Sequence, residues 1–199
     1  MSPALDRGKS ALLIMDYQSA IVDMVAASSP DLMPNAARAL VAARGAGLKI
    51  IYVVIGFRPG YPEVGAGNKS FQALRGSGRF APGSPGTEVH ASLAPEAGDL
   101  IVTKHRVSAF SGSDLEMLLR AQGLETLVLA GISTSGVVLS TLRQAADLDY
   151  RLVVLKDACA DTDPQVHACL MDKVFPRQAE VLDVAGFIAD LGKPQDGLT

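Results

Sequence analysis

Short, nearly continuous apolar runs rich in β-branched residues constrain the fold of this chain more than any other feature of its sequence. They cover residues 11–15, 48–55, 99–103, 126–130 and 151–155, with a weaker sixth run at residues 179–182. Runs without strict alternation are typical of strands that are buried on both faces of a parallel sheet.

Helical patterns lie between these runs. Residues 34–45 and 135–148 place apolar side chains on one helical face. Ser113 is the expected N-cap of a helix over residues 113–122, with Glu116 completing a capping box, and Asp163 before Pro164 predicts another helix start. Because strands alternate with helices, the sequence predicts one α/β domain over residues 1–199. The expected architecture is a three-layer α/β/α, Rossmann-like fold with a six-stranded parallel sheet and helices on both faces.

Composition and charge argue against several classes of protein. The net charge is −3 and acids and bases are mixed along the chain, so no basic cluster suggests a nucleic-acid partner. The apolar run at residues 11–15 is too short for a signal peptide or a membrane span. Two cysteines without a CxxC pattern argue against a disulfide framework, so the expected location is the reducing cytoplasm.

One long segment, residues 56–98, interrupts the alternation of strands and helices. It is rich in Gly and Pro and contains one short helical stretch at residues 69–74. The segment leaves the carboxyl end of a strand, which is the edge where open α/β sheets bind ligands. Long irregular loops in compact domains are usually functional or disordered, so we expect this one to form a wall or lid of a pocket.

Two ionisable residues end predicted strands. Asp16 follows the first run and Lys104 ends the third, so both side chains would project to one side if their strands share a sheet edge. Apolar surroundings would raise the pKa of the carboxyl group and a nearby ammonium would lower it, as in functional acids. The structural alternatives are a turn aspartate and a solvated lysine.

A turn of small residues joins the fourth run to the next helix. Ser133, Thr134, Ser135 and Gly136 would present backbone N–H groups at the positive end of that helix. This arrangement predicts an anion or oxyanion site. The alternative is an ordinary connection between a strand and a helix.

Taken in order, these motifs resemble the isochorismatase-like hydrolase superfamily over nearly the whole chain. The resemblance rests on Asp16 within Leu-Ile-Met-Asp-Tyr-Gln, Lys104 within Val-Thr-Lys-His-Arg, and Ala-Gly-Ile-Ser-Thr ending at Thr134. It implies a six-stranded parallel sheet, a pocket at its carboxyl edge, and a homodimer or homotetramer. It also implies an Asp–Lys–Cys triad and a cis peptide bond between Ile132 and Ser133.

The chain departs from this family pattern at the nucleophile. The resemblance puts the family's cysteine at Val137, and valine cannot attack a substrate. Cys159 is expected to be a small buried thiol and Cys169 a helix-core residue. One branch of the family carries a metal cluster after the second strand, but residues 55–59 contain no ligand, so we predict neither a metal nor another cofactor.

Several further residues are candidates for contact with a small-molecule substrate. Arg58, Arg75, Arg79 and His105 are candidate anion contacts, although each could be a plain surface residue. Gln18 could orient water or substrate, or could cap the following helix. Phe57 and Phe110 are the aromatic candidates.

Three functions stay open from the sequence. The first is a hydrolase without a covalent intermediate, in which Asp16 is the general acid or base and Lys104 tunes it, as in isochorismatases that lack the cysteine and cleave a vinyl ether. The second is a catalytically degenerate ligand-binding or interaction protein on the same fold. The third is a thiol hydrolase that uses Cys159.

Overall fold

A computed structural model describes residues 5–194; the predicted domain also includes residues 1–4 and 195–199, which lie outside the described residues. Its centre is a sheet of six parallel strands in the order β3-β2-β1-β4-β5-β6. The strands are β1 (Ser10–Met15), β2 (Lys49–Ile55), β3 (Leu100–Lys104), β4 (Thr126–Ile132), β5 (Arg151–Ala160) and β6 (Glu180–Leu182). Each of the six predicted runs is therefore a strand, and the predicted parallel sheet is confirmed.

Within residues 5–194, six α-helices lie between these strands and a seventh follows β6. They are α1 (Ser19–Val22), α2 (Leu32–Gly45), α3 (Lys69–Ser77), α4 (Leu115–Ala121), α5 (Leu139–Asp147), α6 (Pro164–Cys169) and α7 (Val184–Leu191). Single π-helical turns over Thr134–Val138 and Leu170–Val174 precede α5 and follow α6. Short 3₁₀ turns cover Arg7–Lys9, Ala91–Leu93 and Phe175–Arg177.

Two details at helix ends differ from the sequence predictions. The N-cap position of α4 is Asp114, and the expected capping box of Ser113 and Glu116 is not formed. Ser113 instead donates its hydroxyl to Ala109 O and accepts from Leu115 N, because the chain makes one more turn before the helix begins. The predicted cap at Asp163 is confirmed, since its side chain accepts from the first backbone N–H groups of α6.

Cys169 is exposed, so its prediction as a helix-core residue is wrong. The physical reason is that the six residues of α6 lie on the surface and none of them is buried. The chain enters the core only after this helix, where Leu170 and Met171 are buried.

The sheet is covered on both faces, as predicted. On one face, α2 and α7 pack against strand residues such as Leu12 and Ile14. On the other face, α4 and α5 pack against the alternate residues Leu13 and Met15. None of the helices in the described range is long and apolar enough to cross a membrane.

The segment that follows β2 has a small core of its own. Phe57, Tyr61, Phe71 and Phe80 are buried together against the end of β2. Helix α3 lies in this segment and extends three residues beyond the predicted stretch. An antiparallel bridge between Gln18 and Val89 joins the segment to the chain between β1 and α1. It therefore stands over the carboxyl edge of the sheet as an ordered wall.

Candidate active site

Asp16 and Lys104 meet above the carboxyl edge of the sheet. Lys104 Nζ lies 2.8 Å from Asp16 Oδ2, and the two side chains are 2% and 8% exposed. The long lysine side chain reaches across from β3, because β2 separates that strand from β1. Lys104 Nζ also donates to Arg106 O at 3.1 Å, which fixes the ammonium group beside the carboxylate. The predicted convergence of these two side chains is thus observed.

The backbone of Asp16 supports this placement. Its N–H donates to Val53 O at 2.8 Å, as a continuation of the pairing between β1 and β2. Its φ is 59°, in the left-handed region that residues with a side chain rarely adopt. Such conformations persist where the surrounding structure holds them and are concentrated at functional sites.

The two carboxylate oxygens of Asp16 have different surroundings. Oδ2 accepts from Lys104, whereas Oδ1 is buried without a hydrogen-bond partner among the described residues. Burial raises the pKa of the Asp16 carboxyl group, and the opposing effect of Lys104 is smaller. Because buried polar atoms are nearly always bonded, the free oxygen indicates a site for a ligand or a transferable proton.

The turn after β4 closes the site from the other side. The Ile132–Ser133 peptide bond is cis, which confirms the expectation from the family resemblance. Ser133, Gly136 and Val137 line the same cleft as Asp16 and Lys104. Gly131 at the end of β4 is tightly enclosed, since a Cβ there would lie 3.1 Å from Met15 and Val138 atoms.

The predicted oxyanion role of this turn is only partly compatible with its hydrogen bonds. Ser135 N donates to Asp161 Oδ2 at 2.7 Å and Gly136 N donates to Ser133 O at 3.2 Å, so these two N–H groups are already bonded within the protein. Thr134 is fully buried, and its hydroxyl bonds to His167 Nδ1 at 2.8 Å. Binding of an oxyanion by the N–H groups of Ser135 and Gly136 would require these bonds to break, and the oxyanion role of the turn stays a prediction.

The cleft has a volume of about 310 Å³ and mostly apolar walls. Its apolar lining comes from α1 and the residues after it, from the segment after β2, and from the strand ends: Ile21, Met24, Val25, Ile55, Phe71, Leu74, Phe80, Val107, Ile132 and Val137. Arg79 and Thr162 complete the lining. Sequence patterns missed Met24 and Val25, because the four-residue helix α1 before them is too short to show a periodic pattern. They also missed Thr162, which lies in the connection between β5 and α6.

Four residues predicted to bind substrate lie instead around a neighbouring cavity of about 490 Å³, which shares Ile55 and Phe80 with the cleft. These four are Gln18, Phe57, Arg58 and His105. Three of them are occupied by contacts within the protein. The Gln18 amide bonds to Ile55 N, Ile55 O and Thr87 O; Arg58 pairs with Glu63 at 2.6 Å; and His105 Nδ1 contacts Gly56 O at 2.5 Å.

The two aromatic candidates also lie outside the cleft that Asp16 lines. Phe57 packs in the small core of the segment after β2, with its ring 5.3 Å from that of Tyr61. Phe110 packs in the core beneath the sheet, 6.2 Å from the ring of Tyr150. Gln18 is the N-cap residue of α1, but its side-chain amide makes no cap bond to that helix, so the expected side-chain cap is not formed. The expectation that Gln18 orients water or substrate stays a prediction. Of the predicted arginines, Arg79 lines the cleft, while Arg75 does not.

Cys159 is buried in the core, as predicted. Its Sγ donates to Leu129 O at 3.9 Å, and burial raises the pKa of the thiol to about 12. Because the thiolate is the nucleophilic form and Cys159 does not line the cleft, a thiol hydrolase using Cys159 is disfavoured.

Among residues 5–194, no three His, Cys, Asp or Glu side chains are grouped to hold a metal ion.

Comparison with known proteins identifies relatives over most of the chain. The Isochorismatase domain family matches residues 10–186. A ureidoacrylate amidohydrolase of Methylobacterium radiotolerans is 32% identical, over 96% of this chain and 83% of that protein. The structure of an N-carbamoylsarcosine amidase from Thermoplasma acidophilum is similar with a TM-score of 0.73 and 29% identity, over 88% of this chain and 96% of the other. A cysteine hydrolase from Pseudomonas syringae pv. phaseolicola shares the fold, with a TM-score of 0.85 at 24% identity and coverage of 96% and 97%.

Proposed function

Given that this chain belongs to the isochorismatase family of hydrolases, we propose that it hydrolyses a small, carboxylate-bearing molecule without a covalent thiol intermediate. In this proposal Asp16 transfers protons as general acid and base, and Lys104 positions and tunes it. The observation that carries the proposal is the buried ion pair at 2.8 Å with one carboxylate oxygen left unpartnered beside a cleft. The proposal also includes the cytoplasmic location and the homodimer or homotetramer expected from the sequence.

The chemistry assigns separate roles to the two carboxylate oxygens. Oδ2 is held by the ammonium of Lys104, which itself is anchored on Arg106 O, so the orientation of the carboxyl group is fixed. Oδ1 exchanges the proton. In hydrolysis of an amide or ureide, Oδ1 takes a proton from the attacking water as the water oxygen bonds to the substrate carbon, and gives that proton to the leaving nitrogen as the C–N bond breaks. In hydrolysis of a vinyl ether, Oδ1 first gives its proton to the enol ether carbon and then takes one from the water that attacks the resulting cation, and the C–O bond of the leaving group breaks afterwards.

Direct attack by water follows from the residue at position 137. Val137 lines the cleft and is almost fully buried, and its side chain carries no group that could attack a substrate. A covalent intermediate would require a nucleophilic side chain.

The names of the relatives add further classes of hydrolysable bond to the candidate substrates. The family resemblance pointed to a vinyl ether, whereas similar proteins are named ureidoacrylate amidohydrolase and N-carbamoylsarcosine amidase. Vinyl ethers, amides and ureides of small carboxylic acids therefore form the test panel.

The proposal is tested by measuring turnover of this panel by the wild-type protein and by Asp16→Asn. Because positioned acid–base groups contribute about 10²–10⁴-fold in rate, Asp16→Asn should lower kcat by at least about 100-fold. Asp147→Asn, at an exposed aspartate that ends α5, is the matched control and should leave kcat unchanged. Equal rates for wild type and Asp16→Asn would contradict the proposed role.

A second function is favoured by one observation, the valine at position 137. A fold that binds a small molecule without turning it over would need the cleft but no nucleophile. The test is to titrate the panel compounds into the wild-type protein by calorimetry and to assay the same compounds for hydrolysis. A compound that binds but is not hydrolysed would support this alternative.

A further inference from the structure

We propose that the substrate is a monocarboxylate with an apolar alkyl or aryl body, and that Arg79 at the wall of the cleft binds its carboxylate. This inference rests on the proposed function, because it names the substrate class of the same cleft. Arg79 acts here as a specificity-determining residue rather than as part of the proton-transfer pair.

The charges that line the cleft favour one negative charge on the ligand, although Arg79 is itself an exposed residue. Three charged residues line it, Asp16, Lys104 and Arg79. Asp16 and Lys104 compensate each other at 2.8 Å, so the guanidinium of Arg79 leaves the lining with one net positive charge. Among residues 5–194, Arg79 forms no ion pair with a carboxylate, in contrast to Arg58, which is paired with Glu63.

The backbone around Arg79 is held in a defined position. Gly78 ends α3 in the left-handed conformation, and Phe80 has a φ of 62° although it carries a bulky side chain. Tyr61 donates its hydroxyl to Arg79 O at 2.7 Å, and Phe57 N donates to Phe80 O at 2.9 Å. Bulky residues rarely adopt positive φ, and such conformations are common at ligand clamps, so the surrounding bonds keep Arg79 at this point of the wall.

The remaining walls favour an apolar body between the carboxylate and the reacting bond. Phe71, Leu74 and Phe80 line the cleft from the segment that carries Arg79, and Met24 and Val25 line it from the chain after α1. The uncharged polar side chains in the lining, Ser133 and Thr162, are few and small. A dianion would place a second charge against apolar walls without a partner, which is costly.

Binding of simple acids tests this inference without any catalytic step. The probe is 3-phenylpropanoate, titrated calorimetrically into the wild-type protein, Arg79→Gln and Arg75→Gln. Comparison ligands are 3-phenylpropanamide, which lacks the charge, propanoate, which lacks the apolar body, and phenylsuccinate, which adds a second carboxylate. Arg75 is the matched control, because it is an exposed arginine of α3 that does not line the cleft.

We expect 3-phenylpropanoate to bind the wild-type protein and its Kd to rise about tenfold or more in Arg79→Gln, because a charge-assisted bidentate contact is lost. Arg75→Gln should bind as the wild type does. The amide, propanoate and phenylsuccinate should each bind the wild type more weakly than the probe. Absence of binding, equal affinity in Arg79→Gln, or equal affinity for the amide would overturn the inference.

The outcome separates this inference from the proposed hydrolysis. If Arg79→Gln weakens binding but no panel compound is turned over, the ligand class stands and the hydrolytic function fails. If Asp16→Asn abolishes turnover but Arg79→Gln changes neither KM nor the Kd of the probe, the function stands and the ligand class fails.

Discussion

At the scale of single residues, the sequence predicted the position of some side chains of the candidate site and not of others. Asp16 and Lys104 could be predicted to meet, because both end strands of one parallel sheet and carboxyl ends share an edge. The sequence alone could not show that Gln18 and His105 lie outside this cleft. In the structure, the Gln18 amide and the His105 imidazole bond to partners in the segment after β2. Those partners depend on how that segment folds, and neither apolar periodicity nor motif spacing predicts it.

The protonation of Asp16 should appear in the pH dependence of stability. Burial raises the pKa of the Asp16 carboxyl group above its ordinary value of 3.8, so the folded protein holds this proton more tightly than the unfolded chain. The resulting stabilisation is present below the unfolded pKa and is lost as the pH rises through the folded pKa. Relative to wild type, Asp16→Asn should therefore gain stability as the pH increases from 3.8 upward, by about 1.4 kcal/mol per unit of pKa difference.

Urea denaturation of wild type, Asp16→Asn and Asp147→Asn between about pH 3.5 and pH 7 measures this difference. The stability curve of Asp147→Asn should run parallel to that of the wild type, since this aspartate is exposed. If the curve of Asp16→Asn also runs parallel to the wild type, the pKa of Asp16 is not raised by folding.

Whole elements were easier to predict than single contacts. The buried strands are marked by apolar runs, and α2 and α5 by one-sided apolar patterns, so their positions follow from the sequence within a few residues. The turn between β4 and α5 shows more structure than its pattern predicts. It contains a π-helical turn, in which Gly136 N bonds locally to Ser133 O. Ser135 N bonds to Asp161 Oδ2, a partner beyond the next strand that a local pattern does not reveal.

The close packing at the end of β4 leads to a prediction about Gly131. A Cβ at this position would lie 3.1 Å from Met15 Cβ and from Val138 Cγ2, which is tighter than ordinary contact. Gly131→Ala should therefore lower the free energy of unfolding by about 1–3 kcal/mol through overpacking. Gly45→Ala is the matched control. It lies at the end of α2 with nothing within 4 Å of a Cβ, so stability should stay unchanged or rise by up to about 1 kcal/mol. Equal unfolding midpoints in urea for the two variants would show that Gly131 is not tightly enclosed.

At the scale of the whole molecule, two parts of the chain with different structure form the cleft. The sheet with its two helical layers supplies Asp16, Lys104 and the turn at Val137. The segment after β2 has its own small aromatic core and supplies Arg79 and much of the apolar wall. The sequence predicted the sheet because parallel strands bury long apolar runs, and it predicted the segment only as a loop because its order depends on contacts with β1 and β2.

Gln18 is a fully buried polar link between these two parts of the chain, and its removal should open the wall locally before it disrupts the sheet. The fully buried amide bonds to Ile55 N and Ile55 O at the end of β2 and to Thr87 O in the segment. Gln18→Leu leaves these backbone groups without their partner, at about 1–3 kcal/mol for each buried group that stays unsatisfied. We expect trypsin to cleave within residues 56–98 at least about tenfold faster in Gln18→Leu than in the wild type, because local opening becomes more populated. Gln72→Leu removes an exposed hydrogen bond to Gly65 O in the same segment and should be cleaved at the wild-type rate. Cleavage that is equally fast in both variants would mean that the wall is held by its own core rather than by its link to β1.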